Sequence, residues 1–582
     1  MGFKSRISAQ NTHRAPRVIP PVHRRFCGRV RSTVKRLYAA DQLPTIDPPA
    51  EGPEFLVVAN RLPIDRDDSG DEPGWKTAPG GLVTGLAPVV RRASGAWIGW
   101  PGITDTDVDP FEHDGMHLVP VRLSSEDFQM YYEGFSNGTL WPLFHDVIAP
   151  PAFHRTWWDK YLEVNTRFAI RTAETAGKNA TVWVHDYQLF LVPQLLRSMR
   201  PDVSIGFFLH IPFPPVELYS QLPWRSEILR GVQGADLIGF QRPTDAANFR
   251  RCVRKHSGFI TKGDDITVTA DPDLGTEEHI TRAAHYPISV DTDALIELAN
   301  TPAIQARAQE IRRELGNPDI VILGTDRMDY TKGLRHRLKA VHELLREGRL
   351  DKDKVTFVQI ATPSRERLDH YKQIRTEVEL AVGHTNGEFS GLHNQVIHYF
   401  HYSFPRDEMT AFYLAADVML VTPLRDGMNL VAKEYTACRT DDSGALVLSE
   451  FAGAADQLTQ AVLINPHDIT ELKNGIMRAV GMEVREQRRR MRPMRRRLKD
   501  ETVHTWARSF LSDLAWIAGA EPVPLETAAI SLDAVRAGLD GTEVPGEVAG
   551  EVPGQGQAAE SSEAPVQVPG EVPGQNSGGT AP

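Results

Sequence analysis

Two cationic side chains follow an apolar run in the second half of the sequence. Arg327 and Lys332 come shortly after the run Ile320–Leu323, in a segment that precedes a helical pattern. A loop in this position can place a guanidinium and an ammonium against one diphosphate, the first as a fork and the second as a mobile point charge. Arg365 follows the next apolar run, Val355–Ile360, in a similar way. The spacing predicts an anion-binding site.

A third segment of the second half combines two carboxylates with a potential phosphate site. The run Val418–Val421 leads into residues 425–434, which read Arg-Asp-Gly-Met-Asn-Leu-Val-Ala-Lys-Glu. Asp-Gly-Met-Asn is typical of a turn whose amides face the start of a helix, which favours a bound phosphate. Asp426 and Glu434 could lie up to about 12 Å apart along a helix. One could hold sugar hydroxyls and the other a ribose; the alternative is a capped amphipathic helix with Glu434 on its solvated face.

Polar residues follow apolar runs in the first half as well. His185, Asp186 and Tyr187 come directly after the run Thr181–Val184, and His210 follows the next run. A charged side chain at the end of a buried strand is costly unless it has a function, so we predict a functional role for Asp186. His210 alone would fit a core histidine equally well.

Two further segments of the first half favour a sugar or phosphate ligand. The stretch Tyr131–His145 contains Tyr132 and Trp141 and has the composition of a turn-rich segment. Aromatic rings stack on the apolar faces of sugars, although such a stretch can also be a peripheral part of the core. The pair Gly80 and Gly81 opens a helical pattern, where backbone N–H groups can approach a phosphate, or where an ordinary helix-entry turn can lie.

Short β-branched runs must position these side chains. Each run is typical of a central strand of a parallel sheet that is buried on both faces. Helical patterns separate the runs, for example at residues 303–315, 335–346 and 406–416. Strands and helices that alternate in two halves predict an α/β fold with two doubly wound, Rossmann-like domains. Ligands of such folds bind beyond the carboxyl ends of the strands, which is where the motifs lie.

Composition divides the chain into four parts. Residues 1–53 are rich in Arg and Pro, with no acidic residue before Asp41, and predict a disordered basic extension. Residues 54–300 and 301–519 form the two predicted domains. Residues 520–582 repeat the sequence Gly-Glu-Val-Pro-Gly-Gln and predict a disordered tail rich in Pro, Gly and Glu.

Overall composition excludes several classes of protein. The 582 residues carry a formal charge of -11 and contain three Cys, too few and too scattered for a disulfide scaffold or a zinc motif. No apolar run reaches the roughly 18 residues needed to span a bilayer. The net acidity argues against nucleic acid, and the basic stretch Arg485–Lys499 is better explained as a solvated helix face. We therefore expect a cytoplasmic multidomain enzyme without membrane or nucleic-acid partners.

Taken in order, the motifs resemble those of the retaining glycosyltransferases of the trehalose-6-phosphate synthase family. The resemblance covers about residues 55–519, in the segments 60–61, 80–82, 132–141, 185–187, 210–214, 327–333 and 425–434. It implies a GT-B arrangement, in which two Rossmann-like domains face each other across a cleft and a final helix crosses back to the first domain. It also implies transfer of glucose from a nucleotide-glucose, usually UDP-glucose, to glucose 6-phosphate, with α,α-trehalose 6-phosphate as the product. The preferred nucleotide stays open.

The resemblance also implies roles for individual residues. The first domain would carry the acceptor site and the second the nucleotide-sugar site. The implied acceptor residues are Arg61, Tyr132, Trp141, Asp186 and Arg365. The implied donor residues are Gly80, Gly81, His210, Arg327, Lys332, Phe404, Asp426, Gly427, Met428, Asn429, Leu430, Val431, Ala432, Lys433 and Glu434. The residues expected closest to the reaction are Asp186, His210, Arg327, Lys332 and Asp426. A homo-oligomer, for example a tetramer, is implied too.

We predict neither a metal nor a cofactor. Residues 105–107 and 291–293 have the Asp-x-Asp spacing of a metal-binding pair, but neither follows a clear apolar strand, and we interpret them as loop acids. Arg327, Lys332 and helix amides would stabilise the departing diphosphate instead. Because Asp426 and Glu434 already have donor roles, no carboxylate is left for a covalent intermediate. The resemblance implies that the acceptor hydroxyl attacks from the side of the leaving group.

Three other activities agree less well with these motifs. An NAD-dependent oxidoreductase needs a Gly-x-Gly-x-x-Gly fingerprint directly after a strand and an acid about 20 residues later, and we find none. An enzyme similar to glycogen phosphorylase needs a Schiff-base lysine for pyridoxal phosphate, whereas Lys332 and Lys433 are explained by the donor site. A catalytically silent homologue would be expected to lose some of the donor or acceptor cations, and all of them are present.

Overall fold

Two largely parallel sheets carry the residues that the sequence motifs single out. The architecture comes from a computed structural model of the chain. It describes residues 46–67, 74–78, 81–270, 277–392 and 394–523. The predictions for residues 1–45 and 524–582, and the prediction for Gly80, lie outside these described residues. The domain boundaries given above stay predictions.

Within the described residues, the first sheet has ten strands in the order β10-β11-β12-β9-β8-β7-β1-β4-β6-β5. They are β1 (Phe55–Arg61), β4 (Ala96–Trp100), β5 (Phe111–His113), β6 (Met116–Pro120), β7 (Thr181–His185), β8 (Ser204–Leu209), β9 (Leu237–Phe240), β10 (Ile260–Lys262), β11 (Asp265–Val268) and β12 (His279–His285). The strands from β12 to β6 pair in parallel, and β5, β10 and β11 are antiparallel at the edges. An antiparallel hairpin of β2 (Ile64–Asp67) and β3 (Gly74–Thr77) follows β1 in the sequence.

The second sheet consists of six parallel strands in the described part of the chain, in the order β15-β14-β13-β16-β17-β18. They are β13 (Ile320–Arg327), β14 (Val355–Thr362), β15 (Ile397–Phe400), β16 (Val418–Val421), β17 (Ala445–Ser449) and β18 (Val462–Ile464). From β13 the chain adds β14 and then β15 on one side. It then crosses to the other side of β13, where it adds β16, β17 and β18. In the first sheet the order reverses in the same way around β1, which lies between β7 and β4. Crevices at such reversals are where doubly wound sheets bind ligands.

Helices connect the strands and cover the faces of both sheets. They are α1 (Gly81–Arg92), α2 (Ser125–Asp127), a π-helix (Phe128–Leu140), α3 (Trp141–Phe144), α4 (Arg155–Thr175), α5 (Val192–Met199), α6 (Val216–Tyr219), α7 (Arg225–Val232), α8 (Pro243–His256), α9 (Thr292–Ala299), α10 (Pro302–Glu314), α11 (Leu334–Arg346), α12 (Asp369–Phe389), α13 (Arg406–Ala415), α14 (Leu430–Cys438), α15 (Ile469–Val480), α16 (Val484–Asp500) and α17 (Val503–Ala518). Three short 3-10 turns lie among the described residues at Tyr187–Leu189, Tyr330–Lys332 and Gly453–Asp456.

Alternate side chains of each strand enter different cores. Along β1, Leu56 and Val58 belong to one apolar cluster, whereas Val57 belongs to another that also contains Leu323 of β13. Side chains of a strand point alternately to its two faces, so strands covered on both faces read as continuous apolar runs. The predicted strands and the three predicted helices are all present, which confirms the prediction of a doubly wound α/β fold.

Helix α17 packs on the first sheet although it follows the second one in sequence. The ring of Phe510 stacks on Trp183 of β7, with centroids 4.7 Å apart. The helix begins at a capping residue, Thr502, whose side chain accepts from the Thr505 N–H. The preceding helix α16 contains the basic stretch, in which Arg495 pairs with Asp442. None of the described helices combines the length and the apolarity that crossing a bilayer requires.

The aromatic stretch at residues 131–145 is not a turn-rich segment, so that part of the sequence prediction is wrong. Residues 125–144 are helical without a break, and most of them form the π-helix. Gly134 and Gly138 lie four residues apart against the ring of Trp157, and a Cβ at Gly134 would come within 2.7 Å of that ring. Tertiary packing therefore overrides the turn propensity of the Gly, Ser and Asn residues in this segment.

Candidate active site

The carboxyl ends of the two sheets meet. Asp186 follows β7, His210 follows β8, Arg327 ends β13, and Asp426 lies between β16 and α14. The loop with Asp426 touches the first sheet, because a Cβ at Gly427 would lie 2.2 Å from the His210 carbonyl oxygen. Only a glycine permits this close approach. Predicted residues from both halves, among them His210 and Asp426, are thereby brought close together.

Lys332 and Asp426 form a buried ion pair on the second sheet's side of the cleft. The Lys332 Nζ donates to Asp426 Oδ2 over 2.5 Å, and the two side chains are 11% and 14% exposed. Asn429 donates to the same oxygen at 3.1 Å. Burial by itself would raise the pKa of Asp426, but Lys332 and Asn429 hold it below its ordinary value. Asp426 is therefore a carboxylate, and its contact holds the Lys332 side chain in place.

Two arginines of the second sheet approach the same indole of the first half. The Arg365 Cζ lies 3.9 Å from the Trp141 ring centroid, and the Arg327 Cζ lies 5.5 Å from it. Arg365 also donates to the Tyr187 hydroxyl at 3.0 Å and to the Tyr371 hydroxyl at 2.5 Å. Nε of Arg365 and Nε1 of Trp141 are buried without a hydrogen-bond partner among the described residues. Such donors are available to a ligand.

Asp186 is held in an unusual backbone conformation beside these arginines. Its φ is 73°, and its Oδ1 accepts from the His210 N–H at 3.1 Å. Burial raises the pKa of Asp186 to about 6, although the His210 and Tyr187 backbone amides, Arg327 and Arg365 act in the opposite direction. A left-handed non-glycine residue is costly and is often found at functional sites. The geometry places a hydrogen-bonding carboxyl next to the two cations.

Histidines complete the cleft as neutral rings. His185 Nδ1 and His210 Nε2 are 3.1 Å apart, and burial lowers the pKa of His210 to about 3. His145 was not predicted from the sequence, where it only ends the aromatic stretch. Its Nδ1 lies 2.8 Å from the Trp141 carbonyl oxygen, and burial lowers its pKa to about 4 despite the nearby Asp426. These rings act as hydrogen-bonding groups near neutral pH and carry no charge.

A cavity of about 190 Å³ lies beside α14, the helix that follows the loop with Asp426. Phe404, Leu430 and Glu434, all predicted for the donor, line it together with Arg406 and Tyr413. Glu434 Oε2 accepts from the Tyr413 hydroxyl at 2.8 Å. Burial raises the pKa of Glu434, although Tyr413 and Arg406 oppose this shift. The half-buried carboxyl group therefore lies at the wall of the cavity and not on a solvated helix face.

Three side chains that were predicted to bind a substrate contact other groups of the protein. The Lys433 Nζ donates to the Ile288 carbonyl oxygen at 2.5 Å and to Gln457 Oε1 at 2.6 Å, and Lys433 does not line the cavity. Its side chain has a structural role, so a donor contact of Lys433 would involve its backbone. The guanidinium of Arg61 pairs with Asp65 at 2.9 Å. The ring of Tyr132 stacks on Phe128.

The remaining predicted donor residues lie around the start of two helices. Gly81 begins α1, and Gly427, Met428 and Asn429 form the loop before α14. Asn429 caps that helix by accepting from the Ala432 N–H at 3.1 Å, and Val431 lies in the same first turn.

The acids that suggested a metal pair have partners within the protein. Asp105 Oδ1 accepts from the Ser125 N–H at 3.1 Å, and Asp291 Oδ1 accepts from the Ala294 N–H at the start of α9. Asp105 and Asp107 lie in a loop, as predicted, whereas Asp291 caps α9 and Asp293 lies in its first turn, so the interpretation of the second pair as loop acids is wrong.

Sequence reasoning missed residues that hold the cations in place. Asp329 accepts from the Tyr371 hydroxyl at 2.9 Å and also lies 3.4 Å from Arg365. Arg425 lies 3.3 Å from Asp146 and 3.4 Å from the buried Asp245, and thereby connects the loop before α14 to the first half of the chain. Asp329 and Arg425 belong to the motifs quoted above, but Tyr371 and Asp245 carry no sequence signal.

Known proteins are similar to this chain in sequence and fold. The model of glycosyltransferase family 20 matches residues 53–516. A curated trehalose-6-phosphate synthase of Mycobacterium avium (strain 104) is 55% identical over 468 residues, which cover 79% of this chain and 95% of that protein. A crystal structure of an α,α-trehalose-phosphate synthase (UDP-forming) from Burkholderia xenovorans in complex with glucose-6-phosphate is 34% identical with a TM-score of 0.72, and covers 79% of this chain and 99% of that one.

A structure from E. coli bound with UDP-2-fluoro glucose is 33% identical with a TM-score of 0.72, and covers 80% of this chain and all of that one. The chain described here belongs to glycosyltransferase family 20.

Proposed function

We propose that the chain transfers glucose from a nucleotide-glucose to glucose 6-phosphate and forms α,α-trehalose 6-phosphate with retention of configuration. The observation that carries the proposal is the convergence of cations in one cleft: Lys332 beside Asp426, and Arg327 and Arg365 against Trp141. A reaction that joins a diphosphate donor to a phosphorylated acceptor needs two such anion sites. The relatives named above carry the same activity in their names.

The donor would lie along the second sheet. The cavity lined by Phe404, Leu430 and Glu434 supports a nucleoside there, with the Glu434 carboxylate accepting from ribose hydroxyls. The diphosphate would then reach Lys332 and Arg327. Asp426 is a charged carboxylate at the end of this path and would accept from hydroxyls of the transferred glucose. UDP-glucose is the donor that we propose first.

The acceptor would lie between Trp141 and Asp186. Arg365 has an unpartnered Nε in this region and would bind the phosphate together with Arg61. Asp186 would accept from a sugar hydroxyl, while Trp141 and Tyr132 would cover the apolar face of the ring. Trp141 would thus separate the acceptor from Arg327 on the donor side.

The reaction would proceed through charge separation at the anomeric carbon. As the glycosidic bond to phosphate breaks, the glucose becomes cationic and the diphosphate gains negative charge. Lys332 and Arg327 would stabilise that charge in a cleft from which water is largely excluded. The acceptor hydroxyl would attack on the face that the diphosphate leaves, and the departing phosphate would take its proton. This order preserves the configuration at carbon 1.

A homo-oligomer, for example a tetramer, and a cytoplasmic location stay predictions that rest on the family resemblance and on composition.

Turnover of defined substrates tests the proposal. The purified chain is incubated with glucose 6-phosphate and either UDP-, ADP- or GDP-glucose, and the product is analysed by NMR. We expect an α,α-linked disaccharide phosphate, fastest with UDP-glucose, and no product when unphosphorylated glucose replaces glucose 6-phosphate. Hydrolysis of the donor without disaccharide formation, or equal rates with glucose, would contradict the proposal.

A further inference from the structure

Two helices of the second half bring three metal-ligating side chains together outside the cleft. His342 lies on α11, and His384 and Glu388 lie four residues apart on α12. The Nε2 atoms of His342 and His384 are 3.8 Å and 3.7 Å from the same oxygen, Glu388 Oε2. One ligand atom from each residue lies within 4.8 Å of the others. The two imidazole rings are stacked with centroids 5.1 Å apart.

These separations are too long for hydrogen bonds, so the cluster does not close on itself. Zinc–nitrogen bonds of about 2.0–2.1 Å in a tetrahedral site place neighbouring ligand atoms about 3.3 Å apart. The two distances to Glu388 Oε2 exceed that value by only about half an ångström. His384 is 71% exposed, so its side chain is free to rotate toward an ion. Residues four apart on a helix share one face, so His384 and Glu388 can bind one ion together.

A neighbouring threonine orients His342 for this task. The Thr385 hydroxyl donates to the Ala381 carbonyl oxygen at 2.8 Å and lies 3.2 Å from His342 Nδ1. Because the hydroxyl hydrogen is already used, Thr385 must accept from His342 Nδ1–H. With the hydrogen on Nδ1, Nε2 is the nitrogen that can bind a metal ion, and it lies 3.8 Å from Glu388 Oε2. Metal-bound histidines characteristically donate their other N–H to such a partner.

We propose that His342, His384 and Glu388 bind one divalent transition-metal ion, with Zn²⁺ as the expected ion and water as the remaining ligand. Two imidazoles and one carboxylate suit zinc, nickel or cobalt better than magnesium or calcium, which prefer oxygen ligands. The ion connects α11 to α12.

This site is separate from the proposed reaction. Lys332 precedes the first residue of α11, whereas His342 lies in the ninth position of that helix, about 12 Å further along its axis. Arg365 likewise precedes α12, and His384 and Glu388 lie near its end. The ion therefore stabilises the packing of the two helices and takes no part in glucose transfer. Ligand binding to the folded state raises the midpoint of thermal unfolding.

Titration with zinc tests the site in the full chain, after removal of any purification tag and of bound metal by a chelator. Calorimetry is expected to show one tight Zn²⁺ per chain, and zinc is expected to raise the unfolding midpoint. Loss of one ligand in His384→Ala or Glu388→Gln should weaken binding at least about tenfold. The chain without metal should keep its transferase activity in both variants.

His370→Ala is the matched control, because His370 is an exposed histidine on the same helix outside the cluster. It should bind zinc like the unmodified chain. Cobalt provides a second measurement, since a tetrahedral site gives intense visible absorption that His384→Ala should lose. Absence of a tight site, or binding that is equal in His384→Ala and the unmodified chain, would overturn the proposal.

Discussion

The buried pair of Lys332 and Asp426 makes the sharpest prediction, because one substitution affects activity and stability by separate routes. Lys332→Met removes the ammonium that would stabilise the departing diphosphate. Loss of one preorganised electrostatic donor typically lowers kcat by about 10²–10³, or roughly 3–4 kcal/mol. The same change leaves Asp426 buried without its cation, and breaking a buried pair costs about 3–5 kcal/mol of unfolding free energy. The pKa of Asp426 should then rise.

The two effects are separated by a second substitution. Lys332→Met combined with Asp426→Asn removes the uncompensated charge and should recover part of the lost unfolding free energy, without restoring kcat. Lys339→Met is the matched control, since Lys339 is 62% exposed on α11 and should change neither quantity. Unfolding is measured in urea, and kcat is measured from the release of UDP at saturating substrates.

A folded Lys332→Met variant that keeps kcat within about threefold of the unmodified chain would refute the proposed role in leaving-group stabilisation, which calls for a far larger loss. Recovery of kcat in the double variant would refute it equally.

Three further substitutions follow from the geometry of the cleft. Burial raises the pKa of Asp186 to about 6, above its unfolded value, so the carboxylate is lost as pH falls below that range and kcat/KM for glucose 6-phosphate should fall with it. Asp186→Asn should lower activity but raise the unfolding free energy at pH 7.5, because the buried charge destabilises the fold above its pKa. Arg425→Ala leaves the buried Asp245 without its cation and should cost about 1–3 kcal/mol of stability and reduce activity. Gly427→Ala should reduce activity at least about tenfold, because its Cβ would lie 2.2 Å from the His210 carbonyl oxygen.

Each of these changes has its own control. The phosphate of glucose 6-phosphate also titrates near pH 6, so only the part of the pH dependence that disappears in Asp186→Asn is assigned to the enzyme. Arg425→Ala combined with Asp245→Asn should regain stability, and no recovery would contradict the pairing. Gly383→Ala meets no atom within 4 Å on α12 and should be neutral or stabilising. If Gly427→Ala behaves like Gly383→Ala, the close approach is not required.

Local sequence patterns were sufficient to predict the strands and the end of each sheet at which we propose that ligands bind. A run such as Ile320–Leu323 has no polar alternation, so it is stable only as a strand covered on both faces. Parallel strands align their carboxyl ends, and therefore Asp186, Arg327 and Asp426 had to lie at sheet edges of the same kind. These inferences need only short-range information, which a single sequence contains.

Packing between distant segments decided the rest. The aromatic segment at residues 125–144 is helical because Gly134 and Gly138 receive the ring of Trp157, a contact that no local propensity encodes. Arg365 donates a hydrogen bond to the hydroxyl of Tyr187, which is 178 residues away in the sequence. Lys433 belongs to the predicted donor motif, but its side chain donates to the Ile288 carbonyl oxygen. The partner of a buried charge is whichever group the folded chain brings within a few ångströms, and that depends on how two sheets are placed against each other.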